Sequence, residues 1–278
     1  MTLEVVGIAY FALLGTTVGS FLNVVVGRLP EGESIVSPRS RCPRCKTPIA
    51  WYDNIPIISW LVLGAKCRAC KLQISARYPM VELLMGCIGA ASFVRFGLTW
   101  ELLVWFPIAA ALLAITFLDI DHWWVPDVIS FPCMAWALAG SFLPGAIGWK
   151  LALAGLIPAL FLWALAWVFE KITKREGLGL GDVKLLAVIG LVLGPVGAVT
   201  ALFFAAVQGA VIGIVVTMTG GHKAAVEPVS EDAWVPHPRA IPFGPFLALA
   251  TYELVLAPDQ FENIPVRIAQ AILGMVGN

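Results

Sequence analysis

Charge is what this sequence has least of. Only 13% of its 278 residues are Asp, Glu, Lys or Arg, against the ~25% of soluble domains, and that shortfall excludes water as the main solvent of the chain. Nor does the sequence carry a G-x-G-x-x-G run after a strand-like segment, so a soluble nucleotide-binding fold has no support. No short apolar stretch runs into a small-residue cleavage site, and the first helix is therefore expected to be retained rather than removed. No internal repeat and no low-complexity tract stands out. The formal net charge is zero, which decides nothing; the distribution of the charges decides more.

What the chain has in abundance is apolar length. Hydrophobic residues make up 59% of it, and residues 151–169 contain no charge at all. A helix crosses the hydrocarbon core with roughly 20 apolar residues, and backbone groups in lipid must be satisfied within the segment. The expected fold is thus an all-α polytopic membrane protein of about eight spans, near residues 5–26, 79–96, 100–118, 128–144, 151–169, 183–196, 198–219 and 241–257. Gly194-Pro195 interrupts the sixth run and reads as a turn or a kink. If the 27–78 loop is cytoplasmic, the connections at 119–127, 170–182 and 220–240 must be so too. Fifteen of the 18 Lys and Arg residues fall on that side, leaving Arg95, Lys150 and Arg267 on the other. Lys and Arg favour cytoplasmic loops, so the expected orientation has the amino terminus outside and the first large loop inside. The polar stretch 220–238 reads as a flexible loop.

Inside the 27–78 loop stand Cys42-Pro-Arg-Cys45 and Cys67-Arg-Ala-Cys70, two C-x-x-C pairs with 21 residues between them. Four thiolates complete a tetrahedral zinc site, and the spacer is slightly longer than the usual ~15–20 residues. Disulfides or unrelated thiols are the competing readings; a reducing compartment opposes the first. A site with four sulfur ligands would be structural, folding a ~50-residue loop too small for a large core. Cys87 and Cys133 lie in apolar runs and read as small buried hydrophobes.

The third run ends in FLDIDHWWVPD, which places Asp119, Asp121 and Asp127 at its cytoplasmic edge. Far along the chain, GLGLGDVKLL places Asp182 at the same edge behind Gly177, Gly179 and Gly181. Two carboxylates about 3 Å apart share a proton, one acting as base toward water and the other protonating a carbonyl. Glycines before Asp182 would permit close backbone approach or conformations barred to other residues. The plainer alternatives are solvated acids or helix caps, which suit Asp121 and Asp127 best.

Together these segments resemble the type IV prepilin peptidases, bifunctional leader peptidases and N-methyltransferases of GxGD type. The similarity runs in order through GSFLNVVVGRLP (19–30), the two cysteine pairs with WYDNIPIISWL (51–61), ISARYPMVELL (74–84), DIDHWWVPD (119–127), GLGLGDVKLLAVIG (177–190) and IPFGPFLAL (241–249). The resemblance implies an aspartyl protease with Asp182 of GLGD as one catalytic acid. For the other it implies Asp119, the first acid of D-x-D, with Asp121 the neighbour that competes for the role. It further implies cleavage of the leader of prepilins or pseudopilins at the cytoplasmic membrane face. Methylation of the new amino terminus from S-adenosyl-L-methionine would follow. The large loop and its adjoining helices are the candidate methyltransferase region, with Gly19, Asn23, Arg28, Asn54 and Glu82 as polar or small residues of interest and Arg77 as a partner for Glu82; the residues that bind the methyl donor stay unknown.

The expected division is residues 1–26 as first helix, 27–78 as the four-cysteine loop and 79–278 as the peptidase domain. The expected setting is the bacterial inner membrane, with the lipid bilayer and prepilins as partners, no nucleic acid, and an open oligomeric state. Two rival functions remain: a proton- or cation-coupled transporter, which should show inverted repeats and midplane acids, and a non-enzymatic assembly scaffold.

Overall fold

In the computed structural model the described residues are 3–174, 179–219 and 241–258. Arg175, Gly177, the 220–240 loop with Lys223 and Arg239, and the tail with Arg267 lie outside them. Among the described residues the regular structure is helical, apart from two isolated β-bridges in the cysteine loop.

Among the described residues nine α-helices follow in chain order. They are α1 (Leu3–Arg28), α2 (Ile58–Val62), α3 (Arg77–Phe96), α4 (Trp100–His122), α5 (Asp127–Gly140), α6 (Trp149–Ala154), α7 (Leu156–Thr173), α8 (Leu180–Met218) and α9 (Gly244–Leu256), with a 3-10 turn at Trp51–Asp53. Among the described residues five stretches are long and apolar enough to cross a membrane: α1, α3, α4, α6 with α7, and α8; α5 and α9 are shorter apolar helices. All eight apolar runs of the sequence fall on helix. The sixth and seventh join in α8, which breaks at Gly194 (φ 72°, ψ −177°) directly before Pro195. Proline cannot donate to the preceding turn, and only a residue without Cβ reaches that dihedral pair cheaply. The chain divides into two compact units.

The first unit comprises residues up to Phe117 with Leu143–Ala146. Its centre is the pairing of α1 with α3, made through glycine. A Cβ on Gly19 would stand 2.8 Å from Glu82 Cα, and one on Gly86 2.7 Å from Thr16 Cγ2; Cβ atoms on Gly15 and Gly89 would strike the backbone of Met85 and Phe11. Gly15 and Gly19 form a G-x-x-x-G pair, the spacing that lets two membrane helices bring their backbones together where lipid removes any hydrophobic drive. Val81 and Met85 are fully buried behind this seam, and Trp105 Nε1 donates to the buried Ser92 Oγ at 3.0 Å.

The second unit takes Leu118–Phe142 and the described residues from Ile147 onward. Leu185, Leu186, Ile189, Ala198, Ala201 and Leu247 are fully buried there. Gly155 separates α6 from α7, and it meets Gly190 of α8 backbone to backbone, so that a Cβ on either would overlap the other's carbonyl. Cys133 is buried as expected, whereas Cys87 is exposed on α3, which corrects the expectation for that residue.

Candidate functional site: an aspartate pair and a four-cysteine cluster

Asp119, Asp182 and Gly244 all belong to the second unit. Asp119 lies in the last turn of α4 and is 7% exposed. Asp121 follows two residues later, about 200° further round the helix at 3.6 residues per turn, and is exposed. The D-x-D pair therefore points its two acids in opposite directions, one inward and one outward.

Asp182 occupies the first turn of α8, which begins at Leu180, and is half-buried. Its N–H donates to Gly179 O at 3.1 Å. Asp182 lies close enough to Asp119 to feel its charge. Gly179 has φ −67° and ψ 130°, dihedrals any residue adopts, so the glycine run does not serve unusual backbone conformation here. Gly181 instead serves close approach: a Cβ on it would stand 2.8 Å from Val125 Cγ2. The chain leaving α4 thereby packs directly on the start of α8, and that contact brings the two acid-bearing segments together.

Two further groups complete the surroundings. Gly244, the first residue of α9, donates its N–H to Asp119 Oδ2 at 2.9 Å in a buried setting. Lys184, two residues beyond Asp182, reaches Asp127 Oδ1 at 2.5 Å. Asp127 stands in the first turn of α5 behind Pro126, whose position at the cap leaves no side-chain cap bond. The capping role anticipated for Asp127 is replaced by this ion pair, which ties α5 to α8. IPFGPF was legible as a motif, yet nothing in it announced that Gly244 would touch an acid 125 residues away.

The four-cysteine loop belongs to the first unit and is built twice from one pattern. Cys42 N–H donates to Thr47 O (3.0 Å) and Lys46 N–H to Cys42 O (2.9 Å); Cys67 N–H donates to Leu72 O (2.9 Å) and Lys71 N–H to Cys67 O (3.0 Å). Lys46 and Lys71 both adopt φ 59°, and bridges join Arg41 to Pro48 and Lys66 to Gln73. RCPRCKTPI (41–49) and KCRACKLQI (66–74) are thus a short internal repeat, correcting the expectation that the chain has none. Only Cys, Lys and Ile match exactly in place, too few to stand out by eye.

All four Sγ atoms lie within 4.8 Å of one another, with Cys42 and Cys70 at 4.0 Å. Thiolates ~2.3 Å from a shared zinc ion would stand about 3.8 Å apart, so this donor set fits a tetrahedral ion. The six cysteines are free thiols, contrary to the disulfide alternative. The Thr47 hydroxyl and backbone N–H beside Cys45 bring its thiol down to about 6, toward the thiolate that a metal requires. Around the cluster, Arg68 grips Asp53 with two 2.6 Å bonds and holds its carboxyl below the usual range. Arg28 donates to Ser34 O (2.9 Å), and Arg41 pairs with Glu33 (3.0 Å).

Of the remaining residues of interest, Glu82 is 7% exposed and accepts the Ile57 N–H at 2.7 Å. Ile57 has φ 61° and ψ −51°, and Ile58 N–H closes a γ-turn on Pro56 O. Such a turn is rare for a β-branched residue, and the buried carboxylate holds it. Arg77, considered as a partner for Glu82, lays its guanidinium over the Phe117 ring at 4.9 Å. Asn23 Nδ2 donates to Tyr78 O at 3.1 Å, a link from α1 to α3. Asn54 closes the 3-10 turn through its N–H to Trp51 O.

Comparison with known proteins returns the same parts of the chain. Residues 13–96 match the bacterial peptidase A24 N-terminal domain, and residues 106–214 match the type IV leader peptidase family. A prepilin leader peptidase/N-methyltransferase of Myxococcus xanthus is 36% identical, over 96% of this chain and 95% of that relative. The chain belongs to the type IV leader peptidase family. Proteins with the same description from Aeromonas salmonicida (34% identical, 90% of this chain and 91% of the relative) and Pseudomonas aeruginosa (33%, 92% and 92%) match to a similar extent. No solved structure matches the fold. The stretch matched to the leader peptidase family takes in Asp119 and Asp182 and stops short of Gly244; the A24 N-terminal match takes in all four cysteines.

Proposed function

We propose that this chain cleaves the leader peptide of prepilins or type II pseudopilins at the cytoplasmic face of the bacterial inner membrane and then methylates the new amino terminus. The convergence of Asp119 and Asp182 carries the reading: two acids from separate helices, both within the second unit and in electrostatic reach of each other. They share one proton. The ionised carboxylate takes a proton from water as its oxygen attacks the scissile carbonyl carbon, and the protonated one gives its proton to the carbonyl oxygen. As the tetrahedral intermediate collapses, the C–N bond breaks and the amine leaves with a proton returned from the pair. No covalent enzyme intermediate is required. Asp121, exposed on the opposite side of α4, is left outside this step.

The apolar pattern of the sequence, read as eight spans, and the excess of Lys and Arg on one side support an inward-facing site, because positively charged loops are retained in the cytoplasm. Both acids then lie at the same membrane edge. Cys42, Cys45, Cys67 and Cys70 hold a structural zinc ion; with all four positions filled by sulfur, its contribution is to fold the 27–78 loop. S-adenosyl-L-methionine supplies the methyl group, and the reading assigns no residue to it. Residues 79–278 form the peptidase domain in this account. Transport is disfavoured by the position of both acids in terminal helical turns rather than at midspan, since coupling sites lie near the midplane.

The deciding experiment incubates purified protein with a full-length prepilin. Wild type releases the leader, and Asp119→Asn and Asp182→Asn do not. Undiminished cleavage by both variants would sink the assignment, and Asp121→Asn is expected to cleave normally.

A further inference from the structure

Gly244 stands at the start of α9, where a helix presents N–H groups with no partner of their own. Its N–H is satisfied by Asp119 Oδ2 at 2.9 Å. Its backbone is not among the positive-φ glycines, so conformational freedom does not explain the absence of a side chain. Space does. A Cβ at this position would stand 2.6 Å from Asp119 Oδ2, 3.2 Å from Cγ and 3.6 Å from Cβ, and these are its three nearest neighbours. Two other glycines of the second unit are not crowded in this way: Gly213 has open space around it, and Gly209 would make only an ordinary 3.4 Å contact with Phe246.

We propose that Gly244 is a positioning residue for peptide hydrolysis. It fixes Asp119 Oδ2 as a committed acceptor, leaving Oδ1 to face the water and Asp182. The inference rests on the reading of Asp119 and Asp182 as the catalytic pair. A backbone N–H only donates, so the oxygen it holds cannot present the shared proton along that line. The proton is confined to Asp119 Oδ1 and the Asp182 carboxyl, and a group that could otherwise rotate between two equivalent oxygens acquires one orientation. The donor is rigid because the first turn of α9 is anchored by buried Phe246, Leu247 and Ala248, with Phe246 and Leu247 N–H groups bonded to Phe243 O. Any side chain at 244 would displace the carboxyl by a fraction of an ångström to an ångström, a misplacement that can cost ~10²-fold in rate.

The test uses the full-length enzyme and a full-length prepilin. Gly244→Ala is expected to lower kcat about a hundredfold with KM unchanged, because the error lies in the reacting group and not in substrate binding. Pro245→Ala, which keeps the Gly244 N–H and adds nothing against Asp119, and Gly213→Ala are expected to keep the wild-type kcat. Amide hydrogen exchange supplies a readout independent of the Gly244 variant's folding: protection at Gly244 should be present in wild type and lost in Asp119→Leu, which removes the acceptor. A Gly244→Ala enzyme with wild-type kcat overturns the proposal. So does an equal loss in Pro245→Ala, or protection at Gly244 that survives in Asp119→Leu. If Asp119→Asn itself still cleaves, the catalytic pair has failed; if Asp119→Asn is inactive while Gly244→Ala is not, only the positioning role has.

Discussion

The four-cysteine loop and the aspartate pair are assembled in opposite ways. Every ligand of the loop comes from one 29-residue stretch, Cys42 to Cys70, and each half is closed by its own backbone bonds between neighbours. The aspartate pair draws on α4, α8 and α9, and the contact that fixes Asp119 joins residues 125 apart. The first site is local, closed by bonds between near neighbours in the chain; the second is a product of helix packing and stands or falls with it. Glycine shows the same contrast. In the loop the residues at left-handed φ include Lys46 and Lys71, held there by short-range bonds, whereas around the acids Gly181 and Gly244 are required by what lies across from them.

The largest expected effect that would break this comparison comes from the acids. Asp119→Asn or Asp182→Asn should cost ~10²–10⁴-fold in cleavage, the range for a lost general acid or base, while zinc content measured by mass spectrometry stays at the wild-type level. Loss of metal in either variant would show that the two sites are coupled. Next comes the metal. Cys42→Ser, which removes the buried member of the cluster, or treatment with a chelator should abolish zinc binding, since structural zinc supplies folding energy directly. Hydrogen exchange across 40–75 should then accelerate, and protection at Gly244 should persist; a simultaneous loss at Gly244 would contradict the local character of the loop.

A smaller effect tests the glycine seam inside the first unit. Gly15→Leu or Gly19→Leu forces a side chain into the α1–α3 backbone contact and is expected to destabilise by about 1–3 kcal/mol, read as a lowered Tm. Gly213→Ala, with open space around it, should leave Tm unchanged. The smallest effect belongs to the ion pair between Lys184 and Asp127, whose side chains are 28% and 60% exposed. Lys184→Ala is expected to cost under about 1 kcal/mol and to do so less in high salt than in low. A larger loss would mean that the tie between α5 and α8 does more than join two exposed charges.

How much of this was legible beforehand differs along the same line. The cysteine cluster could be read as a set because its ligands recur at fixed spacing within one loop, although the backbone repeat beneath it could not: hydrogen-bonded turns of like shape tolerate unlike residues. Asp119 and Asp182 could be named, but the choice of Asp119 over Asp121 came from resemblance, and the inward and outward sides of α4 emerge only once the helix is seen to run through His122. Glu82 was suspected as a buried charge, and the partner sought for it was Arg77. The structure adds a partner that no motif suggested, the backbone N–H of Ile57 in a γ-turn with no sequence signature.

The amino-acid order by itself determined that this chain lives in a bilayer, where its helices run, and which thiols converge, because apolar length, proline and glycine breaks and close ligand spacing act over one or two dozen residues. Only the tertiary structure decided which oxygen of Asp119 is held and why residues 181 and 244 carry no side chain. Those are facts about distances between surfaces brought together by folding, and no local pattern encodes how closely two distant backbones will meet.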